Sequence, residues 1–134
     1  MLSYIWADQA DRLERTEKAL ALARATGVIV EKADAVEWLR ERLAVSRPGK
    51  VHIVYHTIAW QYLPFAARTE GERLLAEAGA RADDNAPLCR LAMEADEDKH
   101  GAGLKLTIWP GGERLKLGRA DFHGRWIDWR GPDQ

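Results

Sequence analysis

Residues 51–64 read Val-His-Ile-Val-Tyr-His-Thr-Ile-Ala-Trp-Gln-Tyr-Leu-Pro, and this stretch decides the fold of the chain. Its first half is rich in β-branched and aromatic residues, and turn residues bracket it, which is typical of a buried strand that runs into a loop. In an open α/β sheet, ligands bind beyond the carboxyl ends of the strands. We therefore predict a central strand followed by a functional loop, which carries His56, Thr57, Trp60, Gln61 and Tyr62.

Length and composition limit the class of protein. The chain has 134 residues, 46% of them hydrophobic, which suffices for one domain with a core and is too little for two. Its 20 basic and 21 acidic residues nearly cancel, so a dedicated nucleic-acid binder is not favoured and self-association is.

The cysteine content and the hydropathy of the sequence indicate the cellular compartment. Cys89 is the only cysteine, which excludes a disulfide within the chain and favours a reducing compartment. No window approaches the ~18 apolar residues of a membrane span, and the first nine residues lack the pattern of a signal peptide. We expect a single cytoplasmic domain that comprises residues 1–134.

The rest of the chain alternates between helical and extended patterns. Helices are predicted over residues 8–25, 35–44 and 65–80, and further strands over residues 28–33 and 87–94. Gly27 and Gly79 are predicted to end helices, and Asp34 with Glu37 is predicted to form a capping box. From residue 104 the hydrophobic period changes to two, and Pro110-Gly111-Gly112 indicates the turn of an antiparallel hairpin.

This order of elements predicts the fold class. Alternating strands and helices favour an α/β fold, namely a three-layer, Rossmann-like and mostly parallel sheet with right-handed crossovers. The terminal hairpin then adds a C-terminal antiparallel meander to one edge of the sheet.

Several pieces of the sequence carry a resemblance to a known family. They are Trp6-Ala7-Asp8-Gln9-x-x-Arg12-Leu13, Ala33-Asp34-Ala35-x-x-Trp38-Leu39, the motif from Val54 to Pro64, and Trp109-Pro110-Gly111-Gly112 with Ala120-Asp121-x-His123-Gly124. On these pieces the chain resembles the C-terminal portion of the bacterial domain-of-unknown-function family 2332. Longer members of that family resemble class I S-adenosylmethionine-dependent methyltransferases.

The resemblance implies the second half of a methyltransferase-like sheet. Longer members carry a glycine-containing segment, Glu-x-Gly-x-Ser-x-Gly-Leu-Asn, that could hold a nucleoside cofactor, and this chain has no equivalent. S-adenosylmethionine is therefore expected only for full-length members and not for this chain alone. Asp34 and Ala35 fall where class I methyltransferases contact the adenine ring, although a helix cap also explains Asp34.

Two groups of residues in the central motif are candidates for chemistry. His56 could act as a general base near pH 7, or it could be bonded to a neighbouring backbone group. Trp60, Gln61 and Tyr62 could stack on a planar ligand and hydrogen-bond its edge, or they could cap the core. A metal site at His52 and His56 is not favoured, because four residues of strand span about 13 Å.

Basic residues near the C-terminus raise the question of nucleic acid. They are interspersed with acidic residues, which predicts a solvated hairpin face rather than a nucleic-acid surface. The basic residues are Arg114, Lys116, Arg119, Arg125 and Arg130.

The leading hypothesis is an incomplete or non-catalytic methyltransferase-like domain. The alternatives are a methyltransferase subunit that another chain or upstream sequence completes, and a small planar-ligand binding module. For assembly, we expect residues 28–33 to pair directly with the central strand. We also expect a homodimer that buries the apolar cluster Tyr4-Ile5-Trp6.

Overall fold

The computed structural model describes residues 2–132. Its contacts divide the chain into two compact units, Met1–Ala33 and Asp34–Gln134, which are described separately. None of the described helices combines the length and the apolar character that a membrane span requires.

The first unit consists of a short turn and one helix. The 3-10 turn Leu2–Tyr4 precedes helix α1, Ala10–Thr26. Gly27 ends α1 in the left-handed conformation, with φ at 68°, as its position after the helical pattern predicts. The N–H of Val28 closes the turn by donating to the carbonyl of Ala23 at 3.1 Å.

The strand predicted over residues 28–33 is wrong. Residues 28–34 have no regular secondary structure, and Val28, Ile29 and Val30 are 64%, 85% and 90% exposed. A β-branched run becomes a strand only where its N–H and C=O groups pair with a neighbouring strand. The predicted pairing of this segment with the central strand is therefore wrong as well.

The second unit begins with the helix predicted from the capping residue. Helix α2 spans Ala35–Leu43, and the carboxylate of Asp34 accepts the N–H groups of Val36 and Glu37. Val36, Leu39 and Leu43 form the predicted inward stripe and are buried. These contacts confirm Asp34 as the cap of α2.

Five strands form one sheet in chain order. Strand β1 is His52–Thr57, helix α3 is Phe65–Arg81, and the remaining strands are β2, Leu88–Glu94; β3, Ala102–Trp109; β4, Glu113–Ala120; and β5, Ile127–Trp129. The pair β1 and β2 is parallel, with His52 opposite Leu88, and α3 crosses between them. The pairs from β2 to β5 are antiparallel, which confirms the hairpin and the meander.

The sheet differs from the predicted one in three respects. Only one of its four strand pairs is parallel, so it is not mostly parallel. The stretch predicted as the central strand forms β1, which lies at an edge of the sheet. Helices α2 and α3 pack on the same face, whereas Ile53 and Tyr55 on the other face are 58% and 71% exposed. Within residues 34–132 the fold therefore has two layers, not three.

Helix α3 packs on the sheet through a stripe of small and apolar residues. Gly71, Leu75 and Gly79 are four residues apart and lie on one side of the helix. All three are buried, and Leu75 is 1% exposed. The ring of Trp60 lies over Gly71, and the ring of Trp109 lies over Gly79. Gly79 was predicted to end the helix, but α3 continues to Arg81. A glycine is needed at this position because the ring of Trp109 leaves no room for a side chain.

The substitution Gly79→Ala tests this packing. A Cβ atom at this position would lie 2.5 Å from Cδ1 and 2.6 Å from Cε2 of Trp109. Overpacking of this kind costs about 1–3 kcal/mol, and the helix preference of alanine offsets about 1 kcal/mol of it. We expect a lower free energy of unfolding in urea denaturation.

The matched control removes the ring. In a Trp109→Leu background, Gly79→Ala should stabilise the protein or leave its stability unchanged, because the obstacle is gone. Equal stability of the wild type and the single variant Gly79→Ala would contradict the packing described here.

Candidate functional site

His56 lies near the carboxyl end of β1 with both ring nitrogens engaged. Its Nδ1 is 2.7 Å from Oε1 of Glu94, the last residue of β2, and its Nε2 is 3.0 Å from Nε of Arg90. An ionised carboxylate only accepts hydrogen bonds and a guanidinium only donates them. These partners assign the neutral tautomer, in which Nδ1–H donates to Glu94 and Nε2 accepts from Arg90.

Glu94 also holds the loop that follows β1. Its Oε1 accepts the backbone N–H groups of Ala59 and Trp60, each at 3.0 Å, and its Oε2 accepts that of Gln61 at 3.4 Å. Three successive N–H groups of this kind form a concave anion site, and here the anion is a side chain of the protein itself.

The same loop contains a strained residue. Ile58 has φ at 47°, a conformation that β-branched residues rarely adopt. Such a conformation costs about 1–3 kcal/mol and persists only where the surroundings fix it. The backbone N–H of Ile58 donates to the carbonyl of Met93 at 2.8 Å, and Glu94 fixes the next three residues.

The surroundings shift the pKa values of both partners downward. Burial lowers the pKa of His56, and the charge of Arg90 lowers it further, which together outweigh the hydrogen bond to Glu94. Burial acts to raise the pKa of Glu94, but the hydrogen bonds from Ala59, His56 and Trp60 outweigh it and the net shift is downward. A neutral imidazole beside an ionised carboxylate is thus the stable pair at neutral pH.

Trp60 packs within this network. Its ring stacks on His56, with centroids 4.9 Å apart and planes inclined by 24°, and the guanidinium of Arg90 lies 4.6 Å from its centroid. The benzo edge of the ring contacts the backbone at Gly71 of α3. Nη1 of Arg90 also donates to Glu72 of α3 at 2.8 Å, so these contacts join the sheet to the helix.

The structure does not bring the three predicted loop side chains together. Oε1 of Gln61 accepts the backbone N–H of Ala95 at 3.2 Å, which holds this amide to the end of β2. A cavity lies between α3 and the sheet, beside His56. Tyr62 is 74% exposed and does not line it. Of these three side chains, only that of Trp60 lines the cavity.

Asp34 and Ala35 do not line the cavity beside His56 either. Oδ1 of Asp34 accepts the backbone N–H groups of Val36 and Glu37 at 2.9 and 3.1 Å. The capping explanation therefore accounts for its conformation.

A cavity of about 660 Å³ lies between α3 and the helix-facing side of the sheet. Its walls include Trp60 and Trp109, and His56 and Glu94 close one end. Four basic side chains line it as well, and these are Arg90, Lys105, Arg114 and Lys116. Clefts that combine apolar walls with a few charged groups are the usual form of a small-ligand site.

The strand register explains how the basic residues gather. Lys105 lies opposite Lys116, and Thr107 lies opposite Arg114, so their side chains share the face of the sheet on which α3 packs. Lys105 lies 3.8 Å from Asp96, whereas Arg114 and Lys116 form no ion pair within the described part of the chain.

Arg114 and Lys116 are exposed, as expected for a solvated hairpin face. The roles of Arg90, Glu72 and Glu94 were not predicted from the sequence. Arg90 and Glu94 did leave a signal in the sequence. They are charged residues within an otherwise apolar strand, Leu88-Cys89-Arg90-Leu91-Ala92-Met93-Glu94. Charges at buried strand positions require partners, which the sequence alone does not identify.

The basic residues of the C-terminal region do not form a continuous face. The side chain of Arg119 is only 13% exposed and binds Asp96, with Nη2 at 2.8 Å from Oδ1. It also donates to the carbonyls of His100, Asp98 and Gly101. Arg119 therefore organises the loop between β2 and β3.

Among the described residues, no glycine lies in the turn between a strand and the helix that follows it. Gly101, Gly111 and Gly112 have positive φ but lie before β3 or between β3 and β4. A phosphate- or nucleoside-binding glycine loop instead joins a strand to a helix. Among residues 2–132, no three His, Cys, Asp or Glu side chains come together as metal ligands.

The downward pKa shift of His56 predicts a dependence of stability on pH. The unfolded chain takes up a proton near pH 6.5, before the folded chain does. The stability that neutral His56 provides is present above pH 6.5 and is lost as the pH falls toward the lower pKa of the folded state. We expect the free energy of unfolding in urea to fall between pH 7.5 and 5.5.

His56→Gln should reduce this slope, and His123→Gln serves as the control because His123 is exposed. His52, whose pKa burial also lowers, accounts for part of the remaining slope. An unchanged slope in His56→Gln would contradict the burial of a neutral His56.

Comparisons with known proteins identify the family alone. Searches of the curated proteins and of the solved structures find no match. The family model DUF2332, described as an uncharacterized protein conserved in bacteria, matches residues 1–129. This match covers nearly the whole chain and agrees with the resemblance carried by the central motif. The chain belongs to the DUF2332 family.

Proposed function

We propose that this chain is a non-catalytic, methyltransferase-like domain that binds a small planar anion in the cavity between α3 and the sheet. The observation that carries the first part is the environment of His56. Its Nδ1–H donates a hydrogen bond to Glu94, and its Nε2 accepts a hydrogen bond from Arg90. A general base needs a free lone pair within reach of its substrate, and His56 has none.

The methyltransferase-like part of the proposal rests on the order of elements. The unit β1, α3, β2 is a parallel strand–helix–strand unit, and the antiparallel hairpin follows it. A strand–helix–strand unit followed by an antiparallel hairpin is the part of the expected half-sheet that supports this proposal. Within residues 2–132 no glycine turn joins a strand to the helix that follows it, and on this ground we propose that the chain alone does not hold S-adenosylmethionine.

The ligand-binding part rests on Arg114 and Lys116. Both side chains are exposed and form no ion pair within residues 2–132, so their charges are available to an anionic ligand. Here they stand beside Trp109 and the hydroxyl of Thr107 in a cavity of about 660 Å³. A ligand with a flat apolar ring and a phosphate or carboxylate group could pack its ring on the tryptophan side of the cavity and pair its anion with Arg114 and Lys116.

Isothermal titration calorimetry tests the proposal with three probes. Adenosine 5′-monophosphate carries a planar base and an anion, adenosine lacks the anion, and S-adenosylmethionine is the cofactor of the alternative. We expect the monophosphate to bind roughly tenfold or more tightly than adenosine, because charge-assisted hydrogen bonds contribute about 1.5–3 kcal/mol. We expect no micromolar binding of S-adenosylmethionine.

Variants locate the binding. Arg114→Ala and Lys116→Ala should each remove most of the difference between the monophosphate and adenosine. Arg125→Ala is the matched control, because Arg125 is exposed and does not line the cavity, and it should change nothing. Micromolar binding of S-adenosylmethionine would overturn the non-catalytic assignment and favour a subunit of an active methyltransferase. Equal affinity for adenosine and its monophosphate would overturn the anion site.

A further inference from the structure

The two edges of the sheet differ in how they are protected. The edge strand β5 has only three residues, Ile127-Asp128-Trp129, with a charge at its centre, and Arg130 and Pro132 follow it. Short length, charge and proline are the usual devices that prevent an edge strand from pairing with another chain. This edge is therefore closed to further strands.

The edge strand β1 has none of these devices. It has six residues, His52-Ile53-Val54-Tyr55-His56-Thr57, and contains no Lys, Arg, Asp, Glu or Pro. Ile53 and Tyr55 are 58% and 71% exposed on the face away from the helices. A long, uncharged and apolar edge is a template for strand addition.

Among the described residues, none forms a hydrogen bond with the backbone groups on the outer edge of β1. His52 N–H donates to the carbonyl of Pro87, and Ile58 N–H donates to that of Met93. In a strand, alternate residues direct their N–H and C=O groups to the same neighbour. The even-numbered residues thus face β2, and the groups of Ile53, Tyr55 and Thr57 point away from the sheet.

These three residues are self-complementary. If two copies of β1 run antiparallel, Tyr55 can face Tyr55 of the second copy on a two-fold axis, and Ile53 then faces Thr57 of the second copy. Each such hydrogen-bonded pair exchanges two N–H···O bonds, which gives about six bonds across the interface. The tyrosine rings form a cross-strand aromatic pair, a favourable contact in sheets.

Charge also favours a second copy as the occupant. No charged side chain of β1 opposes another in this register, and the net charge of −1 per chain gives little long-range repulsion. A two-fold arrangement uses the same patch on both subunits and closes, so it does not propagate into fibres.

We propose that two copies of this chain pair through the free edge of β1, antiparallel, with Tyr55 on the two-fold axis. This proposed interface at β1 differs from the one expected from the sequence, which was the N-terminal aromatic cluster Tyr4-Ile5-Trp6. This inference does not rest on the ligand proposed for the cavity.

Light scattering after size-exclusion chromatography tests the dimer with a matched pair of variants. Ile53 and Ile127 lie on opposite edge strands and have similar exposure, 58% and 66%. Ile53→Lys should raise the dissociation constant at least tenfold, and Ile127→Lys should leave it unchanged. A wild-type monomer at high micromolar concentration would overturn the proposal, and so would equal weakening by the two variants.

A disulfide tests the register. Hydrogen-bonded residues of antiparallel strands have Cα atoms about 5.5 Å apart, a distance that a disulfide spans. In a Cys89→Ser background, Tyr55→Cys should give a covalent dimer on a non-reducing gel after mild oxidation, whereas Ile127→Cys should not. A covalent dimer from Ile127→Cys and none from Tyr55→Cys would overturn the two-fold arrangement.

Discussion

The carboxylate of Glu94 is the interaction on which the site depends. It lies at the end of β2 and accepts hydrogen bonds from the ring of His56 and from the backbone of the loop that follows β1. These hydrogen bonds stabilise the loop in which Ile58 adopts its strained conformation, with φ at 47°. They also place Trp60 over Gly71, so the docking of α3 depends on the same carboxylate.

This arrangement separates structural from functional residues in the central motif. His56, Trp60 and Gln61 all contribute side-chain contacts to the end of the strand pair, and these contacts use the groups that chemistry would need. Arg114 and Lys116 on the hairpin, by contrast, form no ion pair with any other described residue. The motif that defines the sequence thus builds one end of the cavity, while the hairpin supplies the groups that a ligand could engage.

Local elements could be predicted from the sequence because local chemistry fixes them. Asp34 caps α2, Gly27 ends α1, and the alternation after residue 104 produces the hairpin, each through contacts within a few residues. Long-range features could not be predicted. The partners of His56, the glycine contacts of Trp60 and Trp109, and the gathering of the cations depend on strand register and helix position.

The error at residues 28–33 has the same cause. The run Val28-Ile29-Val30 has high strand propensity, yet propensity expresses how well a side chain fits a pleated, half-buried surface. No described strand provides that surface, and β1 pairs only with β2. The prediction that β1 is a central strand was wrong for the same reason. It required residues 28–33 to pair with the other edge of β1, and they do not form a strand.

The central claim is that His56 is a structural residue, locked between Glu94 and Arg90 as the neutral Nδ1–H tautomer. Long-range ¹H–¹⁵N correlation of the histidine rings tests it directly, with His56→Gln to assign the signals. The account predicts a protonated Nδ1 and an unprotonated Nε2 at pH 7.5, and a protonation midpoint below 6.5. A protonated Nε2 at pH 7.5, or a midpoint above 6.5, would contradict it.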